Sequence, residues 1–354
     1  MPAPPPASQA DSYPAIIHSV EELDEMLTRP TPALVEFIRT LPSPLVVLGA
    51  GGKMGPTLCV RALRAAEQAG HPLDVFAVSR FSDESARRWL ETRGVRTLSC
   101  DLMNLPALKK LPDAQNVIYL VGLKFGTQQH PARTWAVNTL TPAHVCERYP
   151  GARVVALSTG NVYPLSPVAR GGSVESDPLT PLGEYANAAV ARERVFEYCA
   201  QQQGVSLALV RLNYAVELRY GVLVDIALKV VAGDAIDVTM GHLNCIWQGD
   251  ANDMILRMLP LAAEPPAAFN LTGREVLSVR ELAVRLAELM ERPVTITGSE
   301  AETALLSNPA RAYDALGAPH LPLDLVLRWT ADWVLHGGPA LGKPTHFEAR
   351  DGVY

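Results

Sequence analysis

Residues 45–58 read LVVLGAGGKMGPTL: an apolar run, a glycine-rich turn and the start of an amphipathic segment. Gly49, Gly52 and Gly55 stand there in G-x-x-G-x-x-G spacing. Because glycine has no Cβ, such a turn lets the backbone approach a pyrophosphate, whose charge the N–H groups of the following helix can hold. The pattern predicts a strand, a phosphate-binding loop and a helix, with a merely tight strand-to-helix turn as the alternative.

Short apolar runs alternate with amphipathic stretches from Pro44 onward. The runs are LVVLG (45–49), VFAVS (75–79), RTLSC (96–100), NVIYLV (116–121), RVVALS (153–158) and SLALVR (206–211). Continuous apolar strands separated by helices are typical of a parallel sheet that is covered on both faces. We therefore predict a doubly wound, Rossmann-type α/β domain that binds a dinucleotide over residues 44–212.

The segments on either side of this domain have other patterns. Over residues 1–43 we predict an N-terminal extension that begins with a proline-rich tail over 2–14. One or two short helices over 19–40 are expected to pack onto the main domain. Ser19 and Glu22 stand there in capping-box spacing. From 213 to 354 we predict a smaller, mainly helical lobe that forms a cleft with the first domain and returns some segments to the main sheet. Its helical patterns lie at 221–232, 250–260, 278–291 and 323–336.

The composition argues against several classes of partner. The 354 residues carry a formal net charge of −6, which gives no general attraction to nucleic acid or to anionic lipid. We find neither a signal-peptide pattern nor an apolar run of roughly 18 residues. The five cysteines are scattered without a C-x-x-C pair, so neither a disulfide framework nor a metal site is predicted. We expect a cytoplasmic protein with a small-molecule substrate and no nucleic-acid or membrane partner.

The end of the second predicted strand bears on the choice of cofactor. An acidic residue there would hold the ribose hydroxyls of NAD, but this sequence has Ser79 and Arg80. A hydroxyl and a guanidinium suit a 2′-phosphate, so NADP is the preferred cofactor and NAD the alternative. Lys53 is a second candidate cation for this phosphate, unless it is simply solvated. Asp101 is placed either to accept from the adenine amino group or to form an ordinary turn.

Several further motifs resemble those of the extended short-chain dehydrogenase/reductase family, the NAD(P)-dependent epimerases, dehydratases and reductases. They are CDL (100–102), VIYLVG (117–122), W-x-V-N (135–138), STGNVY (158–163) and RLNY (211–214). The resemblance runs from about residue 44 to 338 and implies hydride transfer to or from nicotinamide. Together with the loop and the second strand, it gives these candidate cofactor-binding residues: Gly49, Gly52, Lys53, Met54, Gly55, Ser79, Arg80, Asp101, Leu102, Val121 and Asn138.

The resemblance also implies the catalytic residues. In the family, a hydroxyl and a tyrosine phenol grip the substrate oxygen, and the matching residues here are Thr159, with Ser158 beside it, and Tyr185. Packing roles are the alternative for each of them. The family's Y-x-x-x-K pattern places a lysine at i+4, next to the tyrosine, but this sequence has Ala189. The family also uses that lysine to hold the nicotinamide ribose.

The missing lysine weakens the expected chemistry. A cation roughly 5 Å away, at an effective dielectric constant of about 20, is worth about 3 kcal/mol. Without it we expect Tyr185 to be a poor base at neutral pH that can still donate a proton. Arg192, seven residues later, either supplies a distant positive charge or is a solvated arginine. Two functions stay open: an NAD(P)-dependent oxidoreductase or epimerase, and a catalytically retired NADP-binding sensor or scaffold.

The second lobe offers candidate substrate contacts. Family members that act on nucleotide sugars carry R-D-[FY] ahead of V-x-D, and here Leu243 and Asn244 replace the first two residues. This replacement argues against a nucleotide-diphosphate sugar and favours a less charged, sugar-like ligand. The candidate contacts, each with a structural alternative, are Asn213, His242, Asn244 and Trp247.

A homodimer is also expected from the resemblance. The family often pairs through two helices from each subunit, which here would lie at 131–149 and 184–203. Alanines at 186, 188, 189 and 191 would allow close packing between subunits. Burial of these alanines against the second lobe of the same chain is the alternative.

Overall fold

The computed structural model describes residues 13–123 and 129–352, so most of the predicted proline-rich tail lies outside the described residues. A seven-stranded parallel sheet forms the centre, in the order β7-β6-β5-β4-β1-β2-β3. Its strands are β1 (Leu45–Leu48), β2 (Val75–Ser79), β3 (Arg96–Ser99), β4 (Asn116–Tyr119), β5 (Arg153–Thr159), β6 (Ser206–Leu212) and β7 (Ala267–Leu271). The six predicted strands and the doubly wound Rossmann fold are confirmed.

Helices cover both faces of the sheet, which explains the unbroken apolar runs. Successive side chains of a strand point to opposite faces. Leu45 and Val47 accordingly belong to one core cluster, while Val46 and Leu48 belong to another on the other face. The helices of this part are α3 (Gly55–Ala69), α4 (Glu84–Glu91), α5 (Leu105–Leu108), α6 (Pro131–Arg148) and α7 (Glu184–Gln203).

The second part of the chain is mainly helical, as predicted, and contributes strand β7 to the main sheet beside β6. Its helices are α8 (Val222–Ala232), α9 (Gln248–Arg257), α10 (Val279–Met290), α11 (Ala310–Leu316) and α12 (Leu323–Leu335). Helix α9 contributes Met254 and Ile255 to a core cluster of the first domain. Within the described ranges, no helix combines the length and apolarity that crossing a bilayer requires.

Four short pairs of strands brace this second part. They are Ser166–Pro167 with Thr303–Ala304, Ala215–Val216 with Ile246–Trp247, Ile236–Asp237 with Ile296–Thr297, and His242–Leu243 with Leu277–Ser278.

The N-terminal extension forms α1 (Val20–Thr28) and α2 (Pro32–Ile38). Ser19 Oγ accepts from the backbone N–H of Glu22 at 3.1 Å, which confirms the predicted cap. The extension contacts both parts of the molecule rather than the main domain alone. Leu23 of α1 joins the core of the second lobe, whereas Leu34 of α2 joins the core of the first domain. Because each helix exposes one apolar face to a different part, the extension bridges them.

Candidate functional site

The glycine-rich loop after β1 has the close contacts that only glycine permits. Gly49 has φ +82°, and a Cβ there would lie 2.8 Å from Val121 Cγ2. A Cβ on Gly55 would lie 2.4 Å from the Ala50 carbonyl oxygen, and one on Gly51 would lie 2.6 Å from Ser79 Oγ. Sequence reasoning missed Gly51, because it lies outside the G-x-x-G-x-x-G positions.

The loop leads directly into the N-terminus of α3. Met54 stands at the cap position without a capping side chain, so no side chain competes for the first-turn amides. Gly52 is exposed, and a Cβ there would meet only the Gly49 carbonyl oxygen, at 3.4 Å. Strand order reverses between β4 and β1 at this point, which is where open α/β sheets bind ligands. The cradle and the positive end of the helix dipole fit a pyrophosphate.

The ends of β2 and β3 lie beside the loop. Arg80 is exposed and has no salt-bridge partner among the residues that the structure describes. Asp101 is exposed, and its Oδ1 accepts from the backbone N–H of Met103 at 3.0 Å, which is the turn that the sequence left as its alternative role. Leu102 is buried. These two ends present a guanidinium and a carboxylate beside the glycine-rich loop.

Lys53 lies elsewhere than predicted. Its Nζ donates to the Ala215 carbonyl oxygen at 2.9 Å and stands 3.5 Å from the centroid of the Tyr220 ring. Both partners follow β6, which lies on the other side of β1 from β2 in the sheet. The structure therefore places this ammonium toward the second lobe and not with Arg80. Met54 contributes its side chain to the core.

The predicted catalytic residues come from two adjacent segments. Thr159 ends β5, where its Oγ1 donates to Asn161 Oδ1 at 3.0 Å and accepts from the Asn161 backbone N–H at 3.2 Å. This arrangement caps a 3-10 turn, Gly160–Val162, that packs against α7. Tyr185 is the second residue of α7. Burial raises the pKa of Tyr220 to about 12, with Asp225 and Tyr185 adding to the rise.

Ser158 is tied into a buried network. Its hydroxyl donates to Glu193 Oε1, and Arg211 Nη2 donates to Glu193 Oε2 at 2.8 Å. Arg211 Nη1 also donates to the Tyr163 hydroxyl at 2.7 Å. Burial opposes the charge of Arg211, but the hydrogen bonds and charge of Glu193 outweigh it and raise the pKa of Arg211. The Ser158 hydroxyl, predicted beside Thr159 as a catalytic group, therefore has a partner within this network.

The helix position that lacks a lysine is closed by packing. Ala189 is fully buried and forms a small cluster with Val162 and Tyr163. Arg192, one turn later, is only 3% exposed, so the interpretation as a solvated arginine is wrong. Its Nη1 donates to the Val121 carbonyl oxygen at 3.2 Å and to Asn138 Oδ1 at 2.9 Å.

Asn138 differs from its predicted role as a direct cofactor contact. It is fully buried, and its Nδ2 donates to the Thr134 carbonyl oxygen at 2.8 Å. Since Oδ1 receives Arg192, both ends of the amide are occupied within the protein. Val121 lies beside the glycine-rich loop, with its side chain against Gly49 and its carbonyl oxygen accepting from Arg192.

Of the predicted substrate contacts, the structure brings Asn213 and Asn244 together, and both are buried. Asn213 Nδ2 donates to Asn244 Oδ1 at 2.8 Å in the interior, where Asn244 also binds backbone. Trp247 packs in the core of the second lobe, with its ring centroid 5.7 Å from that of Trp329. The structure therefore gives these three side chains structural contacts, which sequence reasoning had left as the alternative. His242 is half-buried, and its Nδ1 has no partner among the described atoms.

The helices expected at a dimer interface, α6 and α7, pack on one another within the chain. Ala186, Ala188 and Ala189 are buried within the subunit, so their small size already serves packing inside one chain. The larger apolar side chains that stay exposed on this pair are Trp135, Leu140 and Tyr198.

Comparisons with known proteins identify similar families and folds. Residues 45–216 match the model of the NAD dependent epimerase/dehydratase family. The UDP-Glc/GlcNAc 4-epimerase from Campylobacter jejuni is similar in fold, with a TM-score of 0.68 and 18% identity over 82% of this chain and 99% of that chain. A sequence search of curated proteins finds no match.

Two complexes with NAD are also similar in fold. The dTDP-glucose 4,6-dehydratase from Bacillus anthracis has a TM-score of 0.68 and 13% identity, covering 84% of this chain and 97% of that chain. The UDP-glucose 4-epimerase from Thermus thermophilus has a TM-score of 0.67 and 17% identity, covering 83% of this chain and 99% of that chain. At these identities the likeness shows the fold.

Proposed function

We propose, from the premise that residues 45–216 belong to the NAD dependent epimerase/dehydratase family, that this protein is an NAD(P)-dependent oxidoreductase or epimerase. It acts on a hydroxyl or carbonyl carbon of a small, sugar-like substrate. One observation carries the proposal. The glycine-rich loop after β1 and the Thr159 turn after β5 open on the same carboxyl edge of the sheet, separated only by β4.

The cofactor proposal rests on the phosphate end of the cleft. Gly49, Gly51 and Gly55 shape the loop, and the start of α3 offers amides to a pyrophosphate. NADP is preferred because Ser79 and the exposed Arg80 stand where a 2′-phosphate would lie. Two structural neighbours are complexes with NAD, which supports a nicotinamide cofactor without deciding between the two forms. When bound, the nicotinamide ring accepts or gives a hydride.

The chain's own residues would handle the substrate oxygen and its proton. The Thr159 hydroxyl and the Tyr185 phenol donate hydrogen bonds to this oxygen and stabilise charge that develops on it. For this, Thr159 exchanges its bond with Asn161 for one with the substrate. Tyr185 gives the proton in the reductive direction. Both side chains are largely buried, and electrostatic interactions are stronger where water is excluded.

The proposed substrate carries less charge than those named for the neighbours. These neighbours are named for UDP and dTDP sugars. In this chain Leu243 and Asn244 replace the R-D pair of the nucleotide-sugar pattern, and both are buried. With no cation at these positions, a diphosphate would lose the contact that the arginine makes in that pattern.

The test begins with calorimetric titration of NADP and NAD, followed by a search for turnover on carbonyl and sugar substrates. Tyr185→Phe should lower kcat by about 100-fold or more, because proton transfer of this kind contributes 10²–10⁴-fold. Tyr198→Phe is the matched control, since Tyr198 lies on the same helix and is 66% exposed. Thr159→Ala should also lower kcat, whereas Ser158→Ala should leave it near the starting value. Absence of dinucleotide binding would contradict the proposal.

The second candidate, an NADP-binding sensor or scaffold that has lost turnover, is favoured by one observation. Ala189 replaces the lysine, and its packing against Val162 and Tyr163 closes that position. Tight NADP binding without turnover on any substrate, together with activity gained in Ala189→Lys, would select this function. Turnover in the unmodified protein that Tyr185→Phe abolishes would exclude it.

A further inference from the structure

The guanidinium of Arg192 is a buried charge with incomplete pairing. Its Nη1 has two neutral acceptors, the Val121 carbonyl oxygen and Asn138 Oδ1, whereas Nε is buried without a partner. None of the carboxylates in the described ranges lies within 4.0 Å of this guanidinium. A buried charge costs several kcal/mol unless an opposite charge compensates it. The fold therefore leaves this cation available to a negative group that the chain itself does not supply.

The charge lies at the reaction end of the cleft. Strands β4 and β5 pair in parallel with Tyr119 opposite Ala156. Gly122 follows the end of β4 by three residues and Thr159 is the last residue of β5, so both lie at the carboxyl edge of the sheet. A Cβ on Gly122 would meet Arg192 Nη1 at 2.7 Å, and Gly122 itself is exposed. The guanidinium thus lies beside exposed backbone that follows β4, the strand next to β5 and its Thr159.

Helix geometry places the same charge toward Tyr185. Residues seven positions apart in a helix lie on nearly the same face, and helical side chains lean toward the N-terminus. By this geometry Arg192 lies on nearly the same face of α7 as Tyr185.

We propose that Arg192 is a positioning residue that supplies the positive charge at the nicotinamide end of the cleft. The inference rests on the proposed function, because it requires a nicotinamide dinucleotide in this cleft. The charge favours negative charge on the substrate oxygen, and it disfavours the oxidised nicotinamide ring, which is positive, relative to the neutral reduced ring. Arg192 thereby acts where a lysine at position 189 would act, from one turn further along α7.

Lys53 also lies near this end but differs in its surroundings. Burial raises the pKa of Glu217, while the charges of Arg219 and Lys53 oppose the rise. The positive charge of Lys53 is therefore partly compensated by the buried carboxylate of Glu217. Arg192 has no such neighbour among the described carboxylates, which is why we assign the role to it.

The ratio of two dissociation constants tests this role without any substrate. In Arg192→Met, Kd for NADP⁺ divided by Kd for NADPH should fall by about tenfold, because the cation no longer repels the oxidised ring. A merely structural role would weaken both forms alike. Arg192→Lys keeps the charge and should keep most of the ratio. Arg194→Met is the matched control, since Arg194 is exposed on the same helix and pairs with Glu197.

A second variant covers the case in which Arg192→Met does not fold. Asn138→Asp keeps the shape of the side chain but places a carboxylate oxygen where Oδ1 now lies 2.9 Å from Arg192 Nη1. Pairing should neutralise the guanidinium and lower the ratio in the same direction. An unchanged ratio in the folded variants, with both cofactor forms still bound, would overturn this inference and leave the proposed function standing. If the unmodified protein binds neither form, the proposed function fails and this inference with it.

Discussion

The two ends of the proposed cofactor site, the glycine-rich loop and the region around Thr159 and Tyr185, are built from different parts of the chain. The phosphate end is formed mainly by backbone. Its glycines come close to Ala50, Ser79 and Val121, and α3 begins without a capping side chain. At the reaction end, side chains from β5, β6, α6 and α7 hold one another in place through buried hydrogen bonds. The phosphate end depends on the absence of side-chain atoms, whereas the reaction end depends on hydrogen bonds between specific side chains. Substitutions should therefore act differently at the two ends.

The largest expected effect is on the network beneath the reaction end. Glu193→Ala leaves Arg211 buried without its carboxylate and removes the acceptor of Ser158, so the free energy of unfolding should fall by about 3–5 kcal/mol. Urea denaturation measures this change. Glu197→Ala, four residues along α7, breaks only the exposed pair with Arg194 and should cost less than about 1 kcal/mol. Equal losses in the two variants would show that the network does not support this end.

A smaller effect is expected from substitutions of the glycines at the phosphate end. Two of these substitutions should differ in their effects on stability and on dinucleotide affinity. In Gly52→Ala the new Cβ has space within the protein, so stability should change little while dinucleotide affinity falls by about 10- to 100-fold, the cost of one or two lost hydrogen bonds. In Gly55→Ala the Cβ meets the Ala50 backbone, so both stability and affinity should fall. Calorimetry and urea denaturation on both variants measure this. Unchanged affinity in Gly52→Ala would mean that the loop does not hold the pyrophosphate.

The same difference explains what the sequence could predict. The strands, the glycine-rich loop and the Ser19 cap follow from local patterns, because an apolar run, a missing Cβ and a capping oxygen act within a few residues. The positions of Asn138, Ser158 and Arg192 do not, because each depends on a partner 35 to 71 residues away in the chain. An arginine on a helix reads as solvated until the strand end that receives it is known.

The bridging role of the N-terminal extension was hidden for a similar reason. Its helices could be predicted from the cap and the apolar face, but the choice of partner surface could not. From the first domain, Trp89 Nε1 donates to Asp24 Oδ2 of the extension at 2.8 Å. From the second lobe, Trp329 Nε1 donates to the Pro14 carbonyl oxygen at 3.0 Å. Tertiary contacts of this kind leave no periodic signal in the sequence.

The smallest expected effect sharpens the comparison at the adenosine side of the phosphate end, where a side chain rather than backbone is proposed to select the cofactor. Arg80→Gln removes an exposed guanidinium that has no salt-bridge partner among the described residues, so the fold should lose little stability. Affinity for NADP should fall by about tenfold, since a charge-assisted hydrogen bond contributes about 1.5–3 kcal/mol and part of it is screened by solvent. Affinity for NAD, which lacks the 2′-phosphate, should not change.

Arg88→Gln is the matched control for this prediction, because Arg88 is also exposed and its replacement changes the net charge equally. A fall in NADP affinity confined to Arg80→Gln would locate the 2′-phosphate at the end of β2. An equal fall in NADP affinity in both variants would mean that the net charge of the surface, and not a specific contact of Arg80, determines the affinity. If Arg80→Gln weakened NADP and NAD alike, the guanidinium would act on the pyrophosphate or the ribose, and the preference for NADP would have to come from another residue.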